Sequence, residues 1–357
     1  PDSLKSRIGF ACDTINRKVV DKTNFVRRYL NDFHYAFQAM KYWIKIKDAN
    51  VIYLQSNPTI IFPMILLRLF KRKIPIVYSI YDVFPGHAYD IGVIGSKFVY
   101  NALRVMQKPC YKMATAVVVL GEDMKDKVVE QGATPEHVFV VPAWYDVKNI
   151  REIPQQENRF IKKYSIPCNK CYVQFAGTVG YVFNYHTVIE LAERLKNEKD
   201  VEIQIVGDGN VKEKFQNEVA ERNLDNVSFY PLQPVELVPD VYSACNLCII
   251  PLQRGVIGNG IPSKAPILMA CKRVIVNSVE ADSQYAKMFA EHDMGIAVDI
   301  DNIEGFAEAI LRLKEHPEQI DRMAKNAYAF GNANYSSTLS IKKMLEIFEI
   351  VTKEKTK

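Results

Sequence analysis

The ten residues Gly255-Val-Ile-Gly-Asn-Gly-Ile-Pro-Ser-Lys264 combine the residue types that suit phosphate binding. A glycine-rich turn delivers Pro262, Ser263 and Lys264 to the predicted start of a helix, ahead of the apolar run Ile267–Met269 and the strand Arg273–Asn277. A helix start exposes free backbone N–H groups and a partial positive charge, which favours anions. A lysine at that point adds a mobile cation suited to a diphosphate. A nucleotide diphosphate is therefore the expected ligand of the second half. In the first half, Tyr81-Asp-Val-Phe-Pro-Gly-His87 follows the strand-like run Ile74–Ile80 and offers Asp82 and His87 as an acid/base pair. The plainer reading makes Asp82 a turn residue and His87 a surface histidine.

These loops need a scaffold, and the sequence alternates short apolar runs with helical patterns. Val51–Leu54, Ile74–Ile80, Ala116–Leu120 and Val138–Val141 read as buried parallel strands. Helices are predicted over Ser96–Ala114 and over Asp123–Gln131, the latter closed by Gly132. Near Trp144–Ile150 the pattern stops, then restarts with strands at Tyr172–Phe175, Glu202–Val206, Val227–Tyr230, Leu247–Ile250 and Val274–Val276. Helices are predicted near His186–Lys199, Val211–Arg222, Pro234–Ser243, Ile303–Glu315 and Pro317–Tyr328. Strand–helix alternation repeated twice predicts an α/β chain of two doubly wound, Rossmann-like domains. Ligands of such sheets sit beyond the carboxyl ends of the strands. That singles out Gly177 and Gly180 in Phe175-Ala-Gly-Thr-Val-Gly180, and Gly207 and Gly209 in Val206-Gly-Asp-Gly209, beside Arg254, Ser263 and Lys264. Tight structural turns would explain the glycines equally well.

The chain has 357 residues, 48% of them hydrophobic and 24% charged, enough for two ordinary domains. No apolar run reaches the roughly 18–20 residues of a spanning helix, and the polar start Pro1–Arg7 does not read as a signal peptide. Seven cysteines, an odd number, are read as reduced thiols of a cytosolic protein. The Cys168–Cys171 and Cys245–Cys248 spacings admit a zinc site. A buried strand carrying Cys245 and Cys248 on opposite faces is the preferred reading, so no metal is assigned. Charge is uneven: residues 1–112 hold 18 Lys and Arg against 7 Asp and Glu, a balance of +11 in a chain of net +5. The stretch Phe62-Pro-Met-Ile-Leu-Leu-Arg-Leu-Phe-Lys-Arg-Lys73 places cations beside Leu, Ile and Phe. It suits an anionic membrane surface, or a core helix with a cationic last turn; the domain-wide charge favours the membrane. Nucleic acid is not expected, because no RNP, helix-turn-helix or zinc-finger pattern accompanies the charge.

Taken in order, these loops resemble a retaining GT-B glycosyltransferase of family four, in the branch that builds bacterial surface polysaccharide. Val117–Met124, Gly132 and Val138–Asp146 resemble the last strand of the amino domain and its linker; Phe175–Gly180 resembles the glycine loop that opens the donor domain. Val206–Gly209 and Phe229–Gln233 resemble the strand ends around the base, and Ile250–Leu252 with Pro262–Lys264 the diphosphate segment. Tyr81–Pro85 resembles this branch's acidic-aromatic-proline loop. The resemblance implies an acceptor-side domain over residues 1–148, a donor domain over 149–335 and a final helix over 336–357 that returns to the first domain. Residue 1 is expected to fall inside the amino domain, past its first strand.

By the same resemblance the chain transfers a sugar, with retention, from a nucleotide diphosphate-sugar (UDP first) to a lipid-linked saccharide at the inner face of the cell membrane. No cofactor is implied. Ser263 and Lys264, with Arg254 in support, take the place of a metal at the leaving diphosphate, and Asp82 orients the acceptor or steadies developing positive charge. Four departures from the family pattern stand out. Asn259 and Ile267 occupy the positions of a glutamate pair, and Lys272-Arg273 stands where a Gly-x-Pro turn is usual. Asn184 and His186 occur where a basic pair is usual, and no counterpart of the first strand and acceptor loop is found. Glu280 or Asp282, on the neighbouring loop, is the candidate replacement for the lost glutamate. The alternatives are a catalytically weak GT-B scaffold partnering another transferase, and a transferase with a soluble acceptor.

Overall fold

The computed structural model describes residues 49–56, 61–70 and 73–353, with isolated positions between 31 and 38. The expectations about the start of the amino domain, and Lys71 and Arg72 of the basic cluster, lie outside the described residues. Four strands, β1 (Ile52–Gln55), β2 (Ile76–Ser79), β3 (Ala116–Val119) and β4 (Val138–Val140), form a parallel sheet in that order. β2 and β3 are buried along their whole length, as expected for β-branched runs covered on both faces. The intervening helices are α1 (Ile61–Phe70), α2 (Gly86–Asp90), α3 (Lys97–Met113) and α4 (Glu122–Glu130). Met64, Cys110, Tyr111, Met124 and Val128 from three of them pack on Ile76, Tyr78, Val117 and Val119.

The second sheet has six parallel strands, β5 (Cys171–Ala176), β6 (Val201–Val206), β7 (Val227–Tyr230), β8 (Leu247–Pro251), β9 (Val274–Ser278) and β10 (Gly295–Val298). Their order is β10-β9-β8-β5-β6-β7. The chain runs outward from β5 through β6 and β7, then returns to lay β8 on β5's other side. This is the doubly wound arrangement, and its strand order reverses between β5 and β8. Around it lie α5 (Arg159–Tyr164), α6 (Tyr185–Arg194), α7 (Lys212–Glu221), α8 (Val238–Ser243), α9 (Lys264–Ala270), α10 (Gln284–Glu291), α11 (Ile303–Glu315) and α12 (Pro317–Asn334). The last helix, α13 (Ser337–Lys353), runs back to the first sheet, where Ile347 and Val351 cover Val77, Ala116 and Val118.

Several elements differ from the sequence reading for local reasons. β10, four residues at a sheet edge and opening on a glycine, and α10, which precedes it, are not singled out in the sequence. The single helix expected over Pro234–Ser243 is a 3₁₀ turn, Val235–Leu237, followed by α8, whose Pro239 sits at a helix start where its missing N–H is harmless. Arg68 at the end of α1 is structural: its guanidinium donates to the carbonyls of Met113 and Ile74 at 2.7 and 3.2 Å, favouring the cationic-last-turn reading for that residue. The expectation that Cys245 and Cys248 face apart is corrected. Cys245 lies in the turn before β8, not on the strand, and the two buried thiols touch at 3.4 Å.

Lys272-Arg273, unusual as a turn, holds the linker instead. Arg273 donates to Glu152 at 2.6 Å and to the Cys245 carbonyl at 2.9 Å. Lys272 takes φ +53° and reaches Glu152 at 3.0 Å. A second anchor joins α5 to α8. The Asp240 side chain, 1% exposed, accepts from the Arg159 backbone N–H at 2.7 Å and from its guanidinium at 2.6 Å. Burial by itself would raise the Asp240 carboxyl, but the Arg159 hydrogen bonds outweigh it and hold the group below its ordinary value. The linked stability is therefore present above the ordinary carboxylate range and lost as pH falls through the lowered folded value. Asp240→Asn is expected to cost about 2 kcal/mol at neutral pH through the lost charge-assisted hydrogen bonds, with a smaller penalty at acid pH. Urea unfolding across pH checks this, and a pH-independent penalty would contradict it.

Candidate active site

The reversal of strand order between β5 and β8 puts two loops side by side at the carboxyl end of the second sheet. One is Gly177–Gly180 after β5; the other runs from Leu252 to Ser263 after β8 and ends at α9. Such a crevice is where open α/β sheets take their ligands. Lys264, the first residue of α9, reaches back so that its Nζ lies 4.4 Å from the centre of the Phe175 ring. The approach to the loop is close: a Cβ on Gly177, at φ +146°, would fall 2.0 Å from Lys264 Cε. Gly207, at φ +142°, has a different reason, since a Cβ there would meet the Gly177 carbonyl at 1.9 Å. The Gly209 position presses in the same way on the Val179 carbonyl, and Gly180 sits against Thr178 and Asn210. These glycines let one strand-end loop lie on the next, which is the packing reason for them.

Lys264 has no ion-pair partner among the described residues, and burial lowers its pKa to about 8. Ser263 stands exposed beside it at the helix start. Arg254 is differently placed. Its guanidinium pairs with Asp301 at 2.6 Å and Asp299 at 3.2 Å, which raise its pKa. Glu280, after β9, accepts from the Gly255 backbone N–H through one carboxylate oxygen, while the other is buried without a partner. It thus braces the glycine-rich loop from below. Ile267, at the second glutamate position, is packed against the core of the second domain.

The first domain supplies the opposite wall. Asp82 and His87 lie 4.0 Å apart, the carboxylate largely exposed and the imidazole mostly buried with Nδ1 unpartnered. A Cβ on Gly260 would sit 3.4 Å from Asp82 Oδ1, so the acid faces the donor-side loop across the cleft. Two further hydrogen bonds close this seam. The Val83 N–H donates to the Asn259 carbonyl at 2.7 Å, and Asn259 Nδ2 donates to Asp90 at 2.5 Å. A glutamate at position 259 would bring a second carboxylate toward Asp90. Asparagine there turns a repulsion into a cross-domain bond.

Sequence reasoning missed Asp90, the bonding role of Asn259, and Asp123. Asp123 sits in the first turn of α4, where an acid is ordinarily read as serving its own helix. Its carboxylate also caps a helix of the other domain, accepting from the Gln284 and Tyr285 N–H groups of α10 at 2.8 and 2.9 Å. Ser283 Oγ takes the next amide, Ala286, at 3.1 Å. Asp123→Ala is expected to cost about 1 kcal/mol, as for loss of a cap, and to speed hydrogen exchange at the Gln284 and Tyr285 amides. Unchanged protection of those two amides would contradict a cross-domain cap.

The geometry agrees with what the chain is similar to. The family model described as "Glycosyl transferase 4-like domain" matches residues 17–144, and "Glycosyl transferases group 1" matches residues 156–330. The chain is 24% identical over 266 residues to the probable glycosyltransferase WbjE of Pseudomonas aeruginosa, covering 72% of this chain and 66% of the relative. It is 25% identical over 207 residues to WcaI, a putative colanic acid biosynthesis glycosyl transferase of Escherichia coli, covering 56% of this chain and 50% of the relative. It thus spans less than two thirds of either relative. Among solved structures, a sucrose-phosphate synthase from Thermosynechococcus elongatus superposes with TM-score 0.74 at 15% identity, over 94% of this chain and 80% of that one. Anabaena Alr3699/HepE in complex with UDP and glucose superposes with TM-score 0.72 at 13% identity, over 98% of this chain and 88% of that one. The chain thus carries a glycosyl transferase 4-like domain followed by a glycosyl transferases group 1 domain, on the two-sheet GT-B fold of those structures.

Proposed function

We propose that the chain moves a sugar from a nucleoside diphosphate-sugar, UDP-linked in the first instance, to a hydroxyl of a lipid-linked saccharide in surface-polysaccharide synthesis. The observation that carries the donor half is Lys264. A half-buried ammonium held over the Phe175 ring with no carboxylate beside it is under-paired, and a diphosphate bound at the Gly177 loop supplies the missing charge. In the reaction the bond from the sugar's anomeric carbon to the diphosphate oxygen breaks. A bond to the acceptor oxygen forms, and the acceptor's proton passes to the departing phosphate. Lys264, with Ser263 and the backbone at the start of α9, stabilises the charge that builds on the leaving group, so no metal is required. Arg254 can assist only by leaving Asp299 and Asp301. Departure and attack on one face of the sugar give retention, with Asp82 holding the acceptor hydroxyl and His87 holding Asp82.

The polysaccharide assignment rests on the printed name of the colanic acid relative above. The lipid-linked acceptor and the membrane surface rest on the positive balance of the first domain. No helix among the described residues is long and apolar enough to cross a membrane, and the contact with lipid proposed here is peripheral. A scaffold role is less well supported, because Lys264 and Asp82 are both in place across one cleft.

The donor reading has a pH signature. Lys264 is protonated below about pH 8 and loses its charge above it, whereas a bound diphosphate favours the charged form. Affinity for UDP is expected to be level between about pH 6, where the terminal phosphate ionises, and that value, and to fall above it, where binding takes up one proton. Lys264→Met should weaken binding by about tenfold or more, as for loss of a buried charge-assisted contact, and abolish the pH break. Calorimetric titration in two buffers of different ionisation enthalpy reads both. Equal affinity in Lys264→Met and wild type would remove the assignment.

A further inference from the structure

Helix α3 turns two unlike faces to its surroundings. Gln107, Cys110 and Tyr111 are buried against the first domain. On the opposite side Phe98, Ala102, Val105 and Pro109, spaced by four, three and four residues, form one exposed line. Phe98 is 81% exposed and Val105 71%. Met106 and Val99 extend the line on one flank, and Lys97, Lys108 and Lys112 flank it on the other, all exposed. Neither α3 nor the adjacent α1 contains a single Asp or Glu. Leu69 and Phe70, at the end of α1, are 57% and 73% exposed.

We propose that α3 is a membrane-docking helix. It lies in the plane of an anionic bilayer, with Phe98 and Val105 in the boundary between headgroups and acyl chains and Lys97, Lys108 and Lys112 on lipid phosphates. This deepens the peripheral-membrane reading above and rests on it. An apolar line beside cations, with no acid on either helix, fits an interface of that chemistry. The charge balance of residues 1–112 supplies the long-range attraction. The placement also serves the site. Tyr89 of α2 stacks on Tyr100 of α3 with ring centres 4.6 Å apart, and α2 carries His87 directly after the Asp82 loop. Docking α3 therefore sets the acceptor wall of the cleft next to the lipid surface, where the headgroup of a lipid-linked acceptor would stand.

The test is co-sedimentation of the full chain with vesicles of phosphatidylcholine alone and of phosphatidylcholine with phosphatidylglycerol, at low and high salt. Wild type should bind the anionic vesicles and lose binding with salt. The double variants Phe98→Ser/Val105→Ser and Lys108→Glu/Lys112→Glu should each bind at least about tenfold more weakly. Leu232→Ser, at an exposed apolar site of the second domain, should bind like wild type. Circular dichroism and urea unfolding of every variant confirm that it is folded. If wild type binds and both double variants bind equally well, α3 is not the docking face, though the membrane reading stands. If wild type binds neither vesicle, both are overturned.

Discussion

An ammonium group withdrawn from water needs an anion close by, and Lys264 has none among the described residues. Its Nζ lies 4.4 Å from the centre of the Phe175 ring, and its stem runs against the bare backbone of Gly177, where a side chain would collide with it. The cost of that burial lowers its pKa to about 8. Nothing in the packing of α9 forces a lysine into this place, since the helix buries Ala265, Pro266, Leu268 and Met269 without it. The position makes sense as one prepared for an incoming negative charge, and the surrounding loops are built so that the charge can arrive: two strand ends stacked glycine on carbonyl, with a helix start beside them.

The second constraint is the seam between domains. Asn259 and Asp123 each bind across it, one through an amide to Asp90, the other through a carboxylate to the start of α10. Together with α13, which returns to the first sheet, these contacts hold Asp82 opposite the glycine-rich loop. Glu280 supports that loop from its far side. The residues that depart from the family pattern are thus employed rather than lost. Asn259 makes a bond that glutamate could not make, and Lys272-Arg273 tie the linker through Glu152. Departure from a motif is weak support for loss of activity when the replacing side chains are bonded into the site.

The sheets and most loops were legible because parallel strands buried on both faces leave continuous apolar runs, and because glycines and Pro262-Ser263-Lys264 punctuate their ends. What was not legible depended on distant partners. β10, Gly295-Ile-Ala-Val298, has only two large apolar residues and no strand-like run around it. Cys245 and Cys248 were assigned to opposite faces of one strand, but the strand starts two residues after Cys245 and the turn brings the thiols together. Asp123 reads as a cap for its own helix, and only the folded chain shows the second helix that it serves. Arg254 looked free in sequence because Asp299 and Asp301 lie on another loop, about 45 residues away. Spacing along the chain finds groups that act on their own element. It does not find groups whose partner comes from another.

The claim that a diphosphate completes the Lys264 site is tested most directly by calorimetric titration of the wild-type chain with UDP and other nucleoside diphosphates, with and without EDTA, below pH 8. The account predicts saturable binding of at least one nucleoside diphosphate that is unchanged by EDTA. Absence of binding to every diphosphate, or binding that EDTA abolishes, would contradict a donor site in which lysine and backbone replace a metal.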